Sequence, residues 1–256
     1  MNLDTFPLST TSFVRTSLLV KPPTVPLTDT HFFMGDNAIR TCASSGLLCF
    51  SIDPETKNIY LLMGRETCFH DMTLSRGSWC GFGGSPDEGE FPEDTAAREF
   101  SEETMGIIAL SNNHPGGDSH HGKLFENSVR HTLLAKDYFF RLNIHINSKT
   151  GAGVKVFFIK QVPWQPDVCD KFKATRKLML DIIDSPYKST CPFHLRHHPA
   201  LRQTSTRIFV NPHYLEKQSI NWWSMDRLTE VIQNNGRFKH ERFRRSFIPV
   251  LKLVLD

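Results

Sequence analysis

Between Gly83 and Ile108 the chain reads GGSPDEGEFPEDTAAREFSEETMGII, and eight carboxylates (Asp87, Glu88, Glu90, Glu93, Asp94, Glu99, Glu102 and Glu103) crowd around a single arginine, Arg98. On a helix, separations of three and four residues bring Glu99, Glu102 and Glu103 to adjacent positions of one face, where their like charges repel. A solvated surface tolerates this at about 0.2–0.5 kcal/mol per pair. A divalent hard cation would convert the same repulsion into coordination by oxygen ligands. Two further features bear on the choice. The glycine pair Gly83-Gly84 lets a backbone carbonyl approach the helix closely, and Glu90 can pair with Arg98 and staple the loop to it. The spacing of the acids, more than their number, is what makes a cation site a candidate beside the plain acidic face.

The acids need a helix, and the segment supplies one. Pro92 suits a first helical position, Glu93 and Asp94 sit where the positive end of the helix dipole favours them, and Gly106 is a natural stop. Ahead of it, LLCFSI (47–52) and IYLLMGRE (59–66) are apolar runs separated by the turn-rich DPETKN and read as a β-hairpin. SWCGFGG adds a short strand ending at the glycine turn. YFFRLNIHI (138–146) and VKVFFIKQV (154–162) read as two strands central to a sheet, residues 167–184 as a helix with Phe172, Leu178, Leu180, Ile182 and Ile183 as its apolar stripe, and 208–210 as a short strand. MDRLTEVIQ after a Ser224 cap and ERFRRSFIPVLKLVL read as two C-terminal helices. Residues 1–30, with four prolines, read as an extended arm, and 111–130 opens as a polar, glycine-rich loop. The three histidines of that loop, His114, His120 and His121, lack the spacing of a zinc site and read as solvated. Strands on both sides of an acidic helix, with more helix at the C-terminus, predict an α/β fold with a mixed sheet flanked by helices.

The acidic segment resembles the Nudix box, G-x5-E-x7-R-E-U-x-E-E-x-G-U, with U a bulky apolar residue. Gly84, Glu90, Arg98, Glu99, Phe100, Glu102 and Glu103 match seven specified positions over 20 residues. The box so read runs from 84 to 107 and departs from the pattern in one place: Thr104 and Met105 both precede Gly106, which should alter the helix exit while leaving the spacing of the acids intact. Upstream, GFGGS stands where FPGGK is frequent. LLMGRE and WWSMDRLTEVI resemble the flanking strand and helix of the family, with Trp222, Trp223 and Leu228 as core or pocket wall.

The resemblance implies a Nudix-like α/β/α sandwich over residues 31–256, with an insertion at 166–205, and hydrolysis of a diphosphate linkage in a nucleoside diphosphate derivative with Mg²⁺ or Mn²⁺ as cofactor. It implies metal ligands at Glu99, Glu102, Glu103 and the Gly83 carbonyl, and structural roles for Gly84, Glu90 and Arg98. The family often recruits a base or further ligand outside the box. Glu216 is the candidate here, with Glu102 and Glu103 as the other catalytic acids; its alternative is a surface acid paired with Lys217 or Arg207. Arg65 either contacts phosphate or forms a salt bridge on a strand edge. The resemblance implies a nucleotide-type small molecule as partner; the motifs that mark the NADH, dinucleoside polyphosphate, ADP-ribose and coenzyme A branches are absent, so its identity rests on the parts outside the box, chiefly 111–130 and 166–207.

Charge keeps alternatives open. Residues 1–165 carry 14 Lys+Arg against 18 Asp+Glu, and residues 166–256 carry 16 against 9, so a net of −4 is followed by +7. The cluster His194, Arg196, His197, His198, Arg202 and Arg207 suits a polyanion, so hydrolysis of capped RNA releasing 7-methyl-GDP, or nucleotide or RNA binding by a non-catalytic module, stand beside the small-molecule reading. The second of these ordinarily loses one of the box acids, and this chain keeps all. A homodimer is also open. Six cysteines without CxxC pairs fit reduced thiols in a cytoplasmic setting, and no run of 18 apolar residues offers a membrane span.

Overall fold

The computed structural model describes residues 29–34, 42–67, 77–111, 122–148, 151–186 and 198–255. Of the arm expected at 1–30, only residues 29–30 are described, and they open a strand; residues 1–28, the three loop histidines, and His194, Arg196 and His197 lie outside the described residues.

The core is an eight-stranded mixed sheet built from β1 (Asp29–Met34), β2 (Cys42–Ile52), β3 (Ile59–Glu66), β4 (Trp79–Cys80), β5 (Phe82–Gly84), β6 (Phe140–Ser148), β7 (Gly151–Gln161) and, near the C-terminus, β10 (Lys217–Ser224). The order is β1-β6-β7-β2-β3-β10, with β4 paired to β3 and β5 to β2. The predicted hairpin is present, with Phe50 opposite Leu61 and Ile52 opposite Ile59. β7 runs parallel to β2, and β6 and β7 pair antiparallel across the 138–162 region.

Alternation along the strands divides the core in two. Leu47, Cys49, Leu62, Phe82, Val156 and Phe158 face one side, where α1 (Pro92–Thr104), α2 (Gly122–Leu134) and α3 (Val168–Asp184) pack through Ala96, Phe100, Val129, Leu133, Phe172 and Met179. Leu48, Phe50, Leu61, Met63 and Trp223 face the other, covered by α4 (Met225–Gln233) and α5 (Ile248–Leu255) through Leu228, Val231, Val250 and Leu251. Between α3 and β10 lie a two-stranded pair, β8 (Leu201–Gln203) and β9 (Ile208–Val210), and a 3₁₀ turn at Pro212–Leu215. A second small pair, β11 (Arg237–Phe238) and β12 (Glu241–Arg242), precedes α5. Among the described residues no helix is long and apolar enough to cross a membrane.

Four expectations are corrected. The loop expected over 111–130 contains most of α2: Phe125, Val129 and Leu133 recur every four residues and turn one face inward, a period hidden by the glycine-rich stretch before it. In α3 the buried stripe is Val168, Phe172, Met179 and Ile182, at spacings of four, seven and three, whereas Leu180 and Ile183 are exposed. The last helix begins at Ile248 rather than at Glu241, because residues 241–242 pair with β11 and Pro249 favours a helix start. The helix exit keeps its glycine-type geometry in spite of the altered spacing. Met105 takes the left-handed conformation directly after α1 (φ 55°, ψ 23°) and Gly106 follows it with φ 67°, with the Met105 N–H bonded to the Glu102 carbonyl and the Gly106 N–H to the Ser101 carbonyl. Such a conformation costs a non-glycine residue about 1–2 kcal/mol. Here the Met105 side chain is buried in the core, which offsets the strain.

Candidate active site

α1 carries the acids, and its first turn is held at both levels predicted from the sequence. Pro92 opens it, and the Asp94 carboxylate accepts a hydrogen bond from the Phe91 N–H at 3.0 Å. Glu93 and Asp94 are further tied to Arg141 and Arg130. The inner face buries Ala96, Ala97 and Phe100, and Phe100 meets Phe82 edge-on with ring centroids 5.5 Å apart. That contact fixes the helix against β5, so the acids one turn away stand over the glycine strand.

Arg98 is the hub. Its Nε and Nη2 donate to the two oxygens of Glu90 at 2.8 and 3.0 Å, Nη2 also reaches the Ser85 carbonyl at 3.0 Å, and Nη1 lies 2.9 Å from Glu99 and 3.4 Å from Glu102. Burial opposes the charge on Glu90, but the Arg98 hydrogen bond, with help from Asp87 and Thr95, holds its carboxyl below the usual range. Glu99 and Glu102 go the other way: desolvation raises both, and Arg98 only partly offsets it. Gly84 is required by contact, since a Cβ there would stand 2.3 Å from the Glu99 Oε1.

Glu103 is fully enclosed. One oxygen accepts the Gly83 N–H at 2.8 Å and the other meets the Lys217 Nζ at 2.8 Å; both side chains of this ion pair are under 5% exposed. Burial pushes the Glu103 carboxyl up to about 7 even against Lys217. Burial alone would lower Lys217, but Glu103 and the Cys80 thiol 3.2 Å away hold it above the ordinary lysine value, so it remains an ammonium.

Glu216 comes from the end of the 3₁₀ turn just before β10. Glu99, Glu103 and Glu216 each place a carboxylate oxygen within 4.8 Å of the others. His213 Nδ1 lies 2.8 Å from a Glu216 oxygen, and that contact, aided by Glu102 and Glu99, raises the imidazole above its ordinary value. Neither sequence alternative for Glu216 is found: its carboxylate contacts His213, and Lys217 pairs with Glu103.

Of the nine residues singled out from sequence, Gly83, Gly84, Glu90, Arg98, Glu99, Glu102, Glu103 and Glu216 are gathered here. Arg65 is not. It projects to the opposite face of the sheet, where it donates to the Gly77 carbonyl at 3.2 Å, stands 3.6 Å from Glu241 and lies 5.9 Å from the Trp79 ring centroid, so the salt-bridge alternative holds. From the basic cluster, His198 is 1% exposed, and its Nδ1 accepts the Ala200 N–H while Nε2 contacts the Met105 carbonyl, a structural latch on the helix exit. Arg202 and Arg207 are exposed on β8 and beside β9. Sequence reading missed Lys217 and His213 as site residues. His213 sits three residues before Glu216, a spacing that one turn brings together; no local signal links Lys217 to Glu103.

The donor set fits a divalent cation. Three carboxylates, Glu99, Glu103 and Glu216, supply hard oxygen donors around one point, with Glu102 beside them on the helix; burial raises Glu99, Glu102 and Glu103, and the guanidinium, ammonium and imidazole that face the acids hold the cluster together at its edges.

The family model for the NUDIX domain matches residues 45–150, a span that contains every box acid. No curated protein matches the chain in sequence. Solved structures with a similar course include a Nudix hydrolase from M. smegmatis, RenU (10% identity, 83% of each chain covered, TM-score 0.40). The NUDIX domain of Shewanella oneidensis NrtR, determined with ADP ribose, is similar at 11% identity over 84% of this chain and 86% of that one, with a TM-score of 0.38. A bifunctional NMN adenylyltransferase/ADP ribose pyrophosphatase from Francisella tularensis, with AMP and a manganese ion, is similar at 13% identity over 86% of this chain and 42% of that one, with a TM-score of 0.41.

Proposed function

We propose that this chain, whose residues 45–150 match the NUDIX domain model, is a Nudix-type, Mg²⁺- or Mn²⁺-dependent hydrolase of the diphosphate linkage in a nucleoside diphosphate derivative. The observation that carries the reading is the convergence of Glu216 with Glu99 and Glu103: an acid more than a hundred residues from the box joins two box acids at one point. Glu99, Glu102, Glu103 and Glu216 would hold the cation, with the Gly83 carbonyl as a further oxygen. When bound, the ion supplies charge neutralisation of the diphosphate and a more acidic water.

The chain's own groups have separable tasks. Arg98 is committed to Glu90 and the Ser85 carbonyl, so it fixes the loop and orients Glu99 and Glu102 rather than meeting substrate. Lys217 keeps Glu103 placed and favours its ionised form in a buried setting. His213, with its Nδ1 hydrogen bonded to one oxygen of Glu216, turns that carboxylate and leaves its second oxygen to accept a proton from water.

The test is a panel of ADP-ribose, dinucleoside polyphosphates, NADH, nucleoside triphosphates and capped RNA, assayed with Mg²⁺ and with Mn²⁺ for release of a nucleoside phosphate. Turnover of at least one member, lost in Glu103→Gln and on chelation, is expected. An inert panel with both metals overturns the reading, and release of 7-methyl-GDP alone would assign the substrate as capped RNA.

A further inference from the structure

The glycine strand β5 has two sides. On one stand the acids of α1; on the other a cavity of about 310 Å³ opens, walled by Gly83, Gly84 and Ser85 and by the first residues of β2. Lys155 of β7 and Arg244, just before the 3₁₀ turn Arg245–Phe247, both line it. Phe157 and Phe247, whose ring centroids are 6.0 Å apart, give it an apolar floor.

The charges of this cavity are unbalanced. Lys155 is half-buried on its strand and has no carboxylate partner among the described residues, while Arg244 is near enough to disfavour its charge, which burial already lowers. Arg244 commits Nη1 to Glu66 at 2.7 Å, and its side chain remains 57% exposed with its other N–H groups available. A lysine without an acid and a solvent-facing arginine lining one concave, partly apolar space give it a positive charge that a bound anion neutralises. Guanidinium and ammonium donors with serine hydroxyls at the rim suit the oxygens of a phosphate group, and the volume is at the small end of the range for ligand pockets.

We propose that this cavity is an anion site, separate from the acid cluster, that takes the phosphate group of a small phosphorylated molecule between Lys155 and Arg244. Its position on the other side of Gly83-Gly84 makes it a place for a second phosphate-bearing part of a ligand, or for a product. That role rests on the hydrolytic reading of the acid cluster; binding of the anion does not.

Binding is therefore measured without metal. In chelator-treated protein the acid cluster repels anions, so pyrophosphate binding followed by calorimetry reports the basic cavity. One site is expected, weakened at least about tenfold in Lys155→Gln and in Arg244→Gln, largely retained in Lys155→Arg, unchanged within about twofold in Glu216→Gln, and weakened by added salt. Thermal melts accompany each variant to confirm that it folds. Titration with AMP and with orthophosphate distinguishes the sources: tighter binding of AMP assigns the floor of Phe157 and Phe247 to a nucleotide, and equal binding assigns the site to free phosphate. Absence of pyrophosphate binding by the unmodified chain, or undiminished binding by Lys155→Gln, overturns the proposal. Loss of hydrolysis in the panel assay with pyrophosphate binding intact would remove the hydrolytic reading and leave this site standing.

Discussion

The two sides of β5 hold like charges in opposite ways. On the α1 side Glu90, Glu99 and Glu102 share Arg98, Glu103 has Lys217, and Glu216 has His213, so every acid of the cluster has a hydrogen-bonded cation within the fold. On the other side, among the described residues, Lys155 has no acid and Arg244 has one, Glu66, at a partly exposed contact. The first arrangement is preorganised: Glu103 is fixed by a deeply buried Lys217 and the other box acids by a mostly buried Arg98, and only the His213–Glu216 contact faces solvent. The second is held by the strand position of Lys155 and by the Arg244–Glu66 contact, and leaves most of its charge to solvent or to a ligand. Removing a partner should therefore be expensive on the acid side and nearly neutral on the basic side.

The largest break in that contrast is at the buried pair. Glu103→Gln removes a ligand oxygen and should lower hydrolysis on the order of 10²- to 10³-fold. It also leaves the Lys217 ammonium buried without its counter-charge, at a cost of about 3–5 kcal/mol in urea unfolding of the metal-free protein. Adding Lys217→Met should restore most of that stability and none of the activity. If Glu103→Gln is as stable as the parent, the pair is not the enclosed contact described.

A narrower cut is Gly84→Ala. The added carbon would stand 2.3 Å from Glu99 Oε1 and must displace the carboxylate, so a fall in kcat/KM of about 10²-fold is expected. Gly89→Ala is the control: Gly89, unlike Gly84, has a positive φ, 84°, but nothing lies within 4 Å of its Cβ position, so a loss of about 1 kcal/mol in stability should leave the rate unchanged. Equal losses of rate in both variants would mean that strain in the loop, not contact with Glu99, explains the glycine.

How far these features were legible depends on the distance over which they act. Glu90, Arg98, Glu99, Glu102 and Glu103 interact within one helix and its lead-in loop, where spacing is geometry, and the sequence placed them together. Pro92 and the Ser224 cap belong to the same class; the Ser224 hydroxyl accepts the Arg227 N–H as expected. Lys217 meets Glu103 only because β10 adds to the edge of the sheet beside β3, a pairing that no local pattern specifies. Composition misled at 111–130, where glycines and histidines masked the four-residue repeat of α2, and at 241–247, where charged residues on a helical period were captured by a strand pair and a 3₁₀ turn instead. Arg65 shows the remaining difficulty. Its strand was evident, but which face each residue takes depends on register, and Gly64 rather than Arg65 faces Phe82 and Lys217.

Arg65 gives the smallest and most discriminating prediction. It lies on the basic side of the sheet, yet unlike Lys155 it is enclosed: the side chain is 16% exposed, stands against Trp79, and is spanned by Glu241 and the Gly77 carbonyl. Those contacts tie the 77–80 segment to the β11–β12 pair, and Trp79 itself donates to Glu241 at 2.8 Å. Arg65→Gln should therefore lower stability by about 1 kcal/mol, from the lost cation–aromatic and ion-pair contacts, a shift in Tm of a few degrees. KM and kcat should stay within about twofold of the parent, because no part of the side chain reaches the acid cluster or lines the Lys155–Arg244 cavity. A raised KM without loss of Tm would return Arg65 to the substrate and show that the basic face is a continuous binding surface rather than one cavity beside a structural ion pair.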